Sequence, residues 1–216
     1  MTRIKLLVEG QTEATFIDKI LAPHYAHLNV YFLPIPVRTS ISQKGGLTRY
    51  SKVKPQIEIL CKQDANAWVT TMFDLYALPN DFPGMSDSHF KALRNGREKA
   101  TYIEKQMSTD IGRRNFIPNI TVHEFEALLF SDISAFRDEA DMSTFDRLKK
   151  QIPHDTAPED INGGSQTAPS KRILAGWPAY DKVRNGANIA ERIGLATIRQ
   201  KCPHFSTWLK RLEGLK

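Results

Sequence analysis

The ten residues Ile4-Lys5-Leu6-Leu7-Val8-Glu9-Gly10-Gln11-Thr12-Glu13 constrain the chain more than any other stretch. A mostly aliphatic run leads straight into a carboxylate, a glycine suited to a tight turn, and a second carboxylate at the head of a helix-like segment. The pattern predicts a buried strand over residues 3–8 that lifts Glu9 out of a sheet, with Glu13 on the first turn of a helix over residues 12–27. In open α/β sheets ligands bind at the carboxyl edge of the strands, so the two acids are candidates for a metal site there.

A second hydrophobic run, Ala67 to Phe73, ends the same way, in Asp74. If the segments alternate as parallel βαβ units, all strand ends share one edge and Asp74 approaches Glu9. Between them, Asn29 to Val37 reads as a strand interrupted by Pro34 and Pro36, which predicts an edge position. Residues 39–46 carry Gly45-Gly46 and read as a loop; its neighbours Arg38, Lys44 and Arg49 are candidate contacts to a phosphate backbone, weighed against a solvated loop. Residues 51–63 have helical spacing. Residues 88–112 read as one long charged helix with an apolar stripe of Phe90, Leu93, Ala100, Ile103 and Met107. A short strand over residues 116–122 leads into His123-Glu124-Phe125-Glu126 and an apolar helix. Residues 132–150 read as an exposed helix, 152–168 as a loop, and 189–195 and 205–212 as closing helices.

The candidate site is therefore Glu9, Glu13 and Asp74, joined by Asp81, Glu124 or Glu126. Hard cations such as Mg2+ or Mn2+ take oxygen ligands and keep several waters, so two or three carboxylates and a substrate phosphate suffice. Two such ions about 4 Å apart clamp the attacking and leaving oxygens of a phosphodiester. Against this stands the ordinary preference of acids for helix N-termini, strongest for Glu13 and weaker for Glu9 and Asp74. Glu124 and Glu126 are two apart and cannot share a helical face, so once the helix has begun only one of them points at the site, and Glu124 is preferred. His123 reads as a structural histidine ahead of a base or ligand. Lys171, beside Ser170 and Arg172, is the best cation to offset charge on a scissile phosphate; Ser170-Lys171-Arg172 equally suits a helix opening or a contact to nucleic acid by Arg172. There is no zinc-protease HExxH, Walker loop, GxGxxG or GxSxG.

Composition is consistent with this reading. A formal charge of +6 attracts polyanions, and the bases cluster in residues 38–54, 91–114 and 171–199 while acids sit at strand ends. Two cysteines at unrelated spacing, no apolar run of membrane-spanning length and a quickly acidic start predict a cytoplasmic protein with no membrane association.

The motifs Val8-Glu9-Gly10-Gln11-Thr12-Glu13 and Phe73-Asp74-Leu75-Tyr76 resemble the Toprim fold of topoisomerases, primases and overcoming-lysogenization-defect (OLD) nucleases. More closely, VEGQTE, MFDLYALPNDFPG, ITVHEFEALLFSD and NGG…APSKRI are similar to a bacterial Toprim-related family of unknown function often encoded beside AAA-type ATPases. The resemblance covers residues 3–200. It implies a Rossmann-like core of about four mostly parallel strands flanked by helices over residues 1–135, with residues 136–216 as a C-terminal helical elaboration packed on it. It also implies Mg2+ or Mn2+ at Glu9 and Asp74, with Glu13 as a further ligand by similarity to the OLD nucleases, and DNA or RNA and an AAA-type ATPase as partners; a homodimer is left open. The usual Asp-x-Asp is broken by Tyr76, so Asp81 or Glu124 is the candidate replacement. The expectation is a metal-dependent nuclease in which Glu9, Asp74, Glu124 and Lys171 carry catalysis. The alternatives are a catalytically silent subunit that binds nucleic acid or a partner, and a small-molecule phosphotransferase or phosphatase with a closed pocket.

Overall fold

A computed structural model of the chain describes residues 1–38, 47, 49–153, 155–161, 164 and 166–215. Its centre is a parallel sheet of β1 (Thr2–Val8), β2 (Val30–Pro36), β3 (Ala67–Asp74), β4 (Phe116–Ile117) and β5 (Ile120–Thr121). The order is β2-β1-β3-β4, with β5 also on β3. The two short strands are halves of one position, split at Pro118 and Asn119. Thr71 bridges the split: its Oγ1 donates to the Asn119 carbonyl at 2.8 Å and accepts the Asn119 N–H at 2.9 Å.

β2 is the edge strand that its prolines predict. The Val37 N–H donates to the Val8 carbonyl, so odd-numbered residues of β2 face β1 and Pro34 and Pro36 turn toward the open side. Lacking N–H groups there, they deny a further strand its donors.

The helices are α1 (Gln11–Phe16), α2 (Ala22–Ala26), α3 (Tyr50–Gln63), α4 (Ser88–Ala92), α5 (Gly96–Ile111), α6 (Phe125–Leu129), α7 (Met142–Gln151), α8 (Pro169–Gly176), α9 (Lys182–Ile193), α10 (Leu195–Lys201) and α11 (Pro203–Glu213). A π-helical turn, Ile17–Leu21, joins α1 to α2. Pro23 accounts for it, because its ring crowds the carbonyl four residues back and it has no N–H to give.

Two expectations need correction. The long helix over residues 88–112 is broken between α4 and α5, where the Asn95 side chain accepts the Glu98 N–H at 2.8 Å and starts α5 afresh. Gly112, at φ 58, ends it in the left-handed conformation that glycine takes without strain. Residues 132–150 are not one exposed helix either: a 3-10 segment, Ile133–Asp138, precedes α7, and Phe136, Phe145 and Leu148 are buried.

Alternation along the strands makes two apolar layers. Ile4, Leu6, Val8 and Met72 face Phe16, Phe125, Ile189 and Trp208; Leu7, Val69 and Phe73 face Val53 and Ile57 of α3 and Ile103 and Met107 of α5. The first layer runs unbroken from β1 to α11, and Trp208 Nε1 donates to Thr70 Oγ1 on β3 at 2.9 Å. No helix among the described residues is long and apolar enough to cross a membrane.

Candidate active site

The carboxyl ends of β1 and β3 lie side by side, since Val8 pairs with Met72. One step beyond, Glu9 Oε1 accepts the backbone N–H of Asp74 at 2.6 Å. This single bond brings together the two acids that end the buried strands. Glu13 turns back so that its Oε2 accepts the Gly10 N–H at 3.0 Å, closing the first turn of α1. Gly10 itself has extended backbone, φ −164, and a Cβ there would meet Glu13 Oε2 only at 3.8 Å. The glycine-dependent turn expected from the sequence is therefore not what delivers Glu9.

The third contribution comes from the turn after β5. His123 has φ 68, a left-handed conformation that costs an ordinary residue free energy. It is held on both sides: Nε2 lies 3.1 Å from the Glu159 carbonyl, and its own carbonyl accepts the Tyr76 N–H at 3.0 Å. Glu124 follows in extended conformation, φ −141, as the N-cap of α6, and its Oε2 accepts the Ser170 N–H at the head of α8 at 2.9 Å. Because the helix starts only at Phe125, the helical-face argument against a joint role for Glu124 and Glu126 does not apply. Both are buried, and the charge of each raises the Asp74 carboxyl.

Five carboxylates thus act on one another. Burial lifts Glu9 to about 7; the Asp74 N–H bond and Lys182 pull the other way, and the charges of Glu13 and Glu124 add to the rise. Asp74 is pushed well above the usual range by burial first, then by Glu9, Glu13, Glu126 and Glu124. Glu13 and Glu126 are raised, in both cases chiefly by burial. Asp74 Oδ1 is buried and has no hydrogen-bond partner among the described residues.

One cation faces this group, and the sequence reading missed it. Lys182, the first residue of α9, places Nζ 2.9 Å from Glu126 Oε1. Burial opposes its charge, but Glu126, Glu124 and Asp74 outweigh that and raise its pKa. The available signal was a lysine at a helix N-terminus, where the macrodipole disfavours it. Tyr180 lies beside the same acids, its buried hydroxyl without a partner among the described residues and its pKa raised by burial, Glu126, Asp181 and Glu124.

Other candidates lie elsewhere. Asp81 is not a member of the cluster: its Oδ1 accepts the Tyr50 N–H at 2.9 Å and its Oδ2 the Ser51 N–H at 3.3 Å, so both oxygens cap α3. Lys171 is exposed on α8; the lysine among the main charges acting on Glu9 and Glu126 is Lys182. Arg172 donates through Nε to the Thr167 carbonyl at 2.8 Å and through Nη1 to the Gln151 carbonyl at 2.9 Å. Arg38 is exposed, with its backbone tied to Gln56, and Arg49 is exposed at the start of α3. Lys44 lies outside the described residues. Tyr76, in the position of the second aspartate, is exposed on the 3-10 turn that follows Asp74.

Carboxylate oxygens suit a hard cation, and an orphaned Asp74 Oδ1 among four other acids is a place where one would relieve repulsion. No group of three or more His, Cys, Asp and Glu side chains among the described residues is arranged to hold a metal ion as it stands. One oxygen each of Glu9, Glu13, Glu124 and Glu126 is turned to a protein donor.

A family model described as Domain of unknown function (DUF4276) matches residues 8–213. The chain belongs to this family. The match takes in every member of the DUF4276 chain's acid cluster and Lys182. None of the curated proteins is similar to it. Among solved structures, the C-terminal region of the Xanthomonas campestris pv. campestris OLD protein is 15% identical with a TM-score of 0.44, over 97% of this chain and 95% of that one.

Proposed function

We propose that this protein is a Mg2+- or Mn2+-dependent nuclease of Toprim type that cleaves phosphodiesters in DNA or RNA, working with an AAA-type ATPase. The observation that carries the proposal is the buried, unpartnered Asp74 Oδ1 at the meeting point of three strand ends, surrounded by Glu9, Glu13, Glu124 and Glu126. Asp74, Glu9 and Glu13 are the residues that would hold the ion, with Glu9 and Glu13 turning from their backbone donors. A bound divalent ion supplies Lewis acidity to a phosphoryl oxygen and an activated water. Glu124, fixed by the Ser170 N–H, would position an attacking water from the neighbouring strand end, and Lys182 would offset charge developing on the phosphate. The ATPase partner and the choice of nucleic acid rest on the resemblance of the sequence motifs.

The test incubates the purified protein, with and without an AAA-type ATPase of the kind proposed as its partner, with plasmid and with single-stranded DNA or RNA in Mg2+ or Mn2+. Wild type is expected to cleave only with metal, and Glu9→Ala and Asp74→Ala are expected to lose the activity. Cleavage that persists in both variants overturns the site.

A second reading is favoured by Tyr76, which removes the second aspartate: a catalytically silent subunit that binds nucleic acid or a partner. Metal-independent binding with no cleavage under any of these conditions selects it.

A further inference from the structure

Away from the acids, α7 and α8 pack so closely that a Cβ on Gly176 would stand 2.9 Å from the backbone of Leu148. Where the pair opens there is a pocket of about 770 Å3 lined by Asp146, Lys149, Lys150, Gln151, Ile152, Pro153 and Arg172. Lys149, Lys150 and Arg172 face Asp146 alone, so the pocket is net positive. Its cations are unequal in freedom. Arg172 is fixed by the Thr167 and Gln151 carbonyls, and its Nη2 has no protein acceptor among the described residues. The Lys149 ammonium lies 5.9 Å from the centroid of the Phe145 ring, a weak cation–π hold, and Lys150 is exposed. Neither lysine forms an ion pair among the described residues.

The pocket is linked to the acid cluster through one helix. Ser170, whose N–H holds Glu124, and Arg172, which lines the pocket, are two residues apart on α8 and so about 3 Å apart along its axis. On the other side the pocket shares Ile152 and Pro153 with a second depression of about 510 Å3 whose charged lining is Asp132, Asp155 and Lys201, so the positive surface ends at the shared residues. A fixed guanidinium beside two solvated ammonium groups suits successive phosphates of one backbone better than a single enclosed anion.

We infer that the α7–α8 pocket binds the phosphodiester backbone of a nucleic acid through Lys149, Lys150 and Arg172. The inference rests on the nucleic-acid reading above for its ligand, and not on the cleavage chemistry. It places the contact on bases outside the 171–199 run except Arg172, and it gives Arg172 a dual part, as a strut for the loop carbonyls and as a phosphate contact.

Binding is measured by fluorescence anisotropy with labelled single-stranded and duplex oligonucleotides in EDTA over a series of salt concentrations. The double variant Lys149→Gln/Lys150→Gln is compared with Lys52→Gln/Lys62→Gln on α3, an equal loss of charge elsewhere. The pocket variant is expected to bind about tenfold more weakly and to lose roughly 1 to 2 from the slope of log affinity against log salt, with the α3 variant near wild type. Equal effects in both variants, or none in the pocket variant, overturn the proposal. Oligonucleotide binding that is absent, with inorganic phosphate or free nucleotide bound instead, also overturns it. Because no metal is present, loss of cleavage in Asp74→Ala and loss of binding in the lysine pair are separate results, and the pocket stands if no nuclease activity is found.

Discussion

Glu9 and Asp74 are joined by a 2.6 Å hydrogen bond from the Asp74 backbone N–H to Glu9 Oε1, so the ends of β1 and β3 are clasped by the same carboxylate that the metal reading requires. The bond favours the ionised form of Glu9, yet burial and the neighbouring acids leave its pKa near 7. In the absence of a cation, the site is electrostatically unfavourable to the fold.

That imbalance makes stability depend on pH in a stated direction. A carboxyl at about 7 in the native state and 4.5 when unfolded binds more protons in the native state between those values, so the Glu9 contribution to metal-free stability is fully present below pH 4.5 and is lost as pH rises through 7. The contribution of Glu9 is about 3 kcal/mol across the window. Urea denaturation in EDTA is expected to show Glu9→Gln gaining on wild type by that order from pH 5 to pH 8, with saturating Mn2+ narrowing the gap. Parallel pH profiles would remove Glu9 from the repelling cluster.

Asp74→Asn addresses the orphaned oxygen. The amide removes the charge that four neighbouring acids oppose, so the metal-free protein is expected to melt at higher temperature than wild type at pH 8. The same change removes an anionic ligand, and the rise in melting temperature that Mn2+ gives wild type is expected to shrink severalfold. A variant stabilised by Mn2+ as much as wild type would place the ion elsewhere.

Asp81→Ala separates a structural acid from a ligand. Two N–H groups at the head of α3 lose their acceptor, and Arg49 at the N-cap provides no side-chain replacement. A loss of about 1 kcal/mol is expected in chemical denaturation, with metal-induced stabilisation unchanged. An altered response to metal would return Asp81 to the site.

The parts of the site legible in the sequence are those fixed by strand periodicity. Glu9 and Asp74 follow buried parallel strands, and such strands can end only at a shared edge, so their approach follows from pattern alone. Glu126 was set aside because the helix was taken to begin at His123; the left-handed His123 and the extended Glu124 delay it to Phe125, and backbone conformation of that kind leaves no periodic trace. Lys182 is more than a hundred residues from Asp74 and reaches the cluster only because Gly186 lets α9 approach α6: a Cβ there would stand 3.1 Å from Phe125 Cε1 and 2.9 Å from the Tyr180 hydroxyl. The place of Asp81 at the head of α3 is not legible in the sequence, since a cap supplied to a helix thirty residues earlier has no local signature.

Lys182→Met tests whether the ammonium neutralises the cluster. Glu126 is 1% exposed and would lose the only cation in contact with it among the described residues, while the Lys182 side chain is 46% exposed, so solvent screening reduces the cost of breaking the pair. About 1–2 kcal/mol of destabilisation is expected at pH 8. Burial already raises Glu126, and without Lys182 its pKa rises further, so it takes up a proton on acidification and the penalty shrinks toward pH 5. Adding Glu126→Gln to Lys182→Met is expected to recover most of the lost stability at pH 8, because position 126 then carries no buried, unpaired charge. If the double variant is no more stable than Lys182→Met, the lysine acts through packing of α9 and not through its charge.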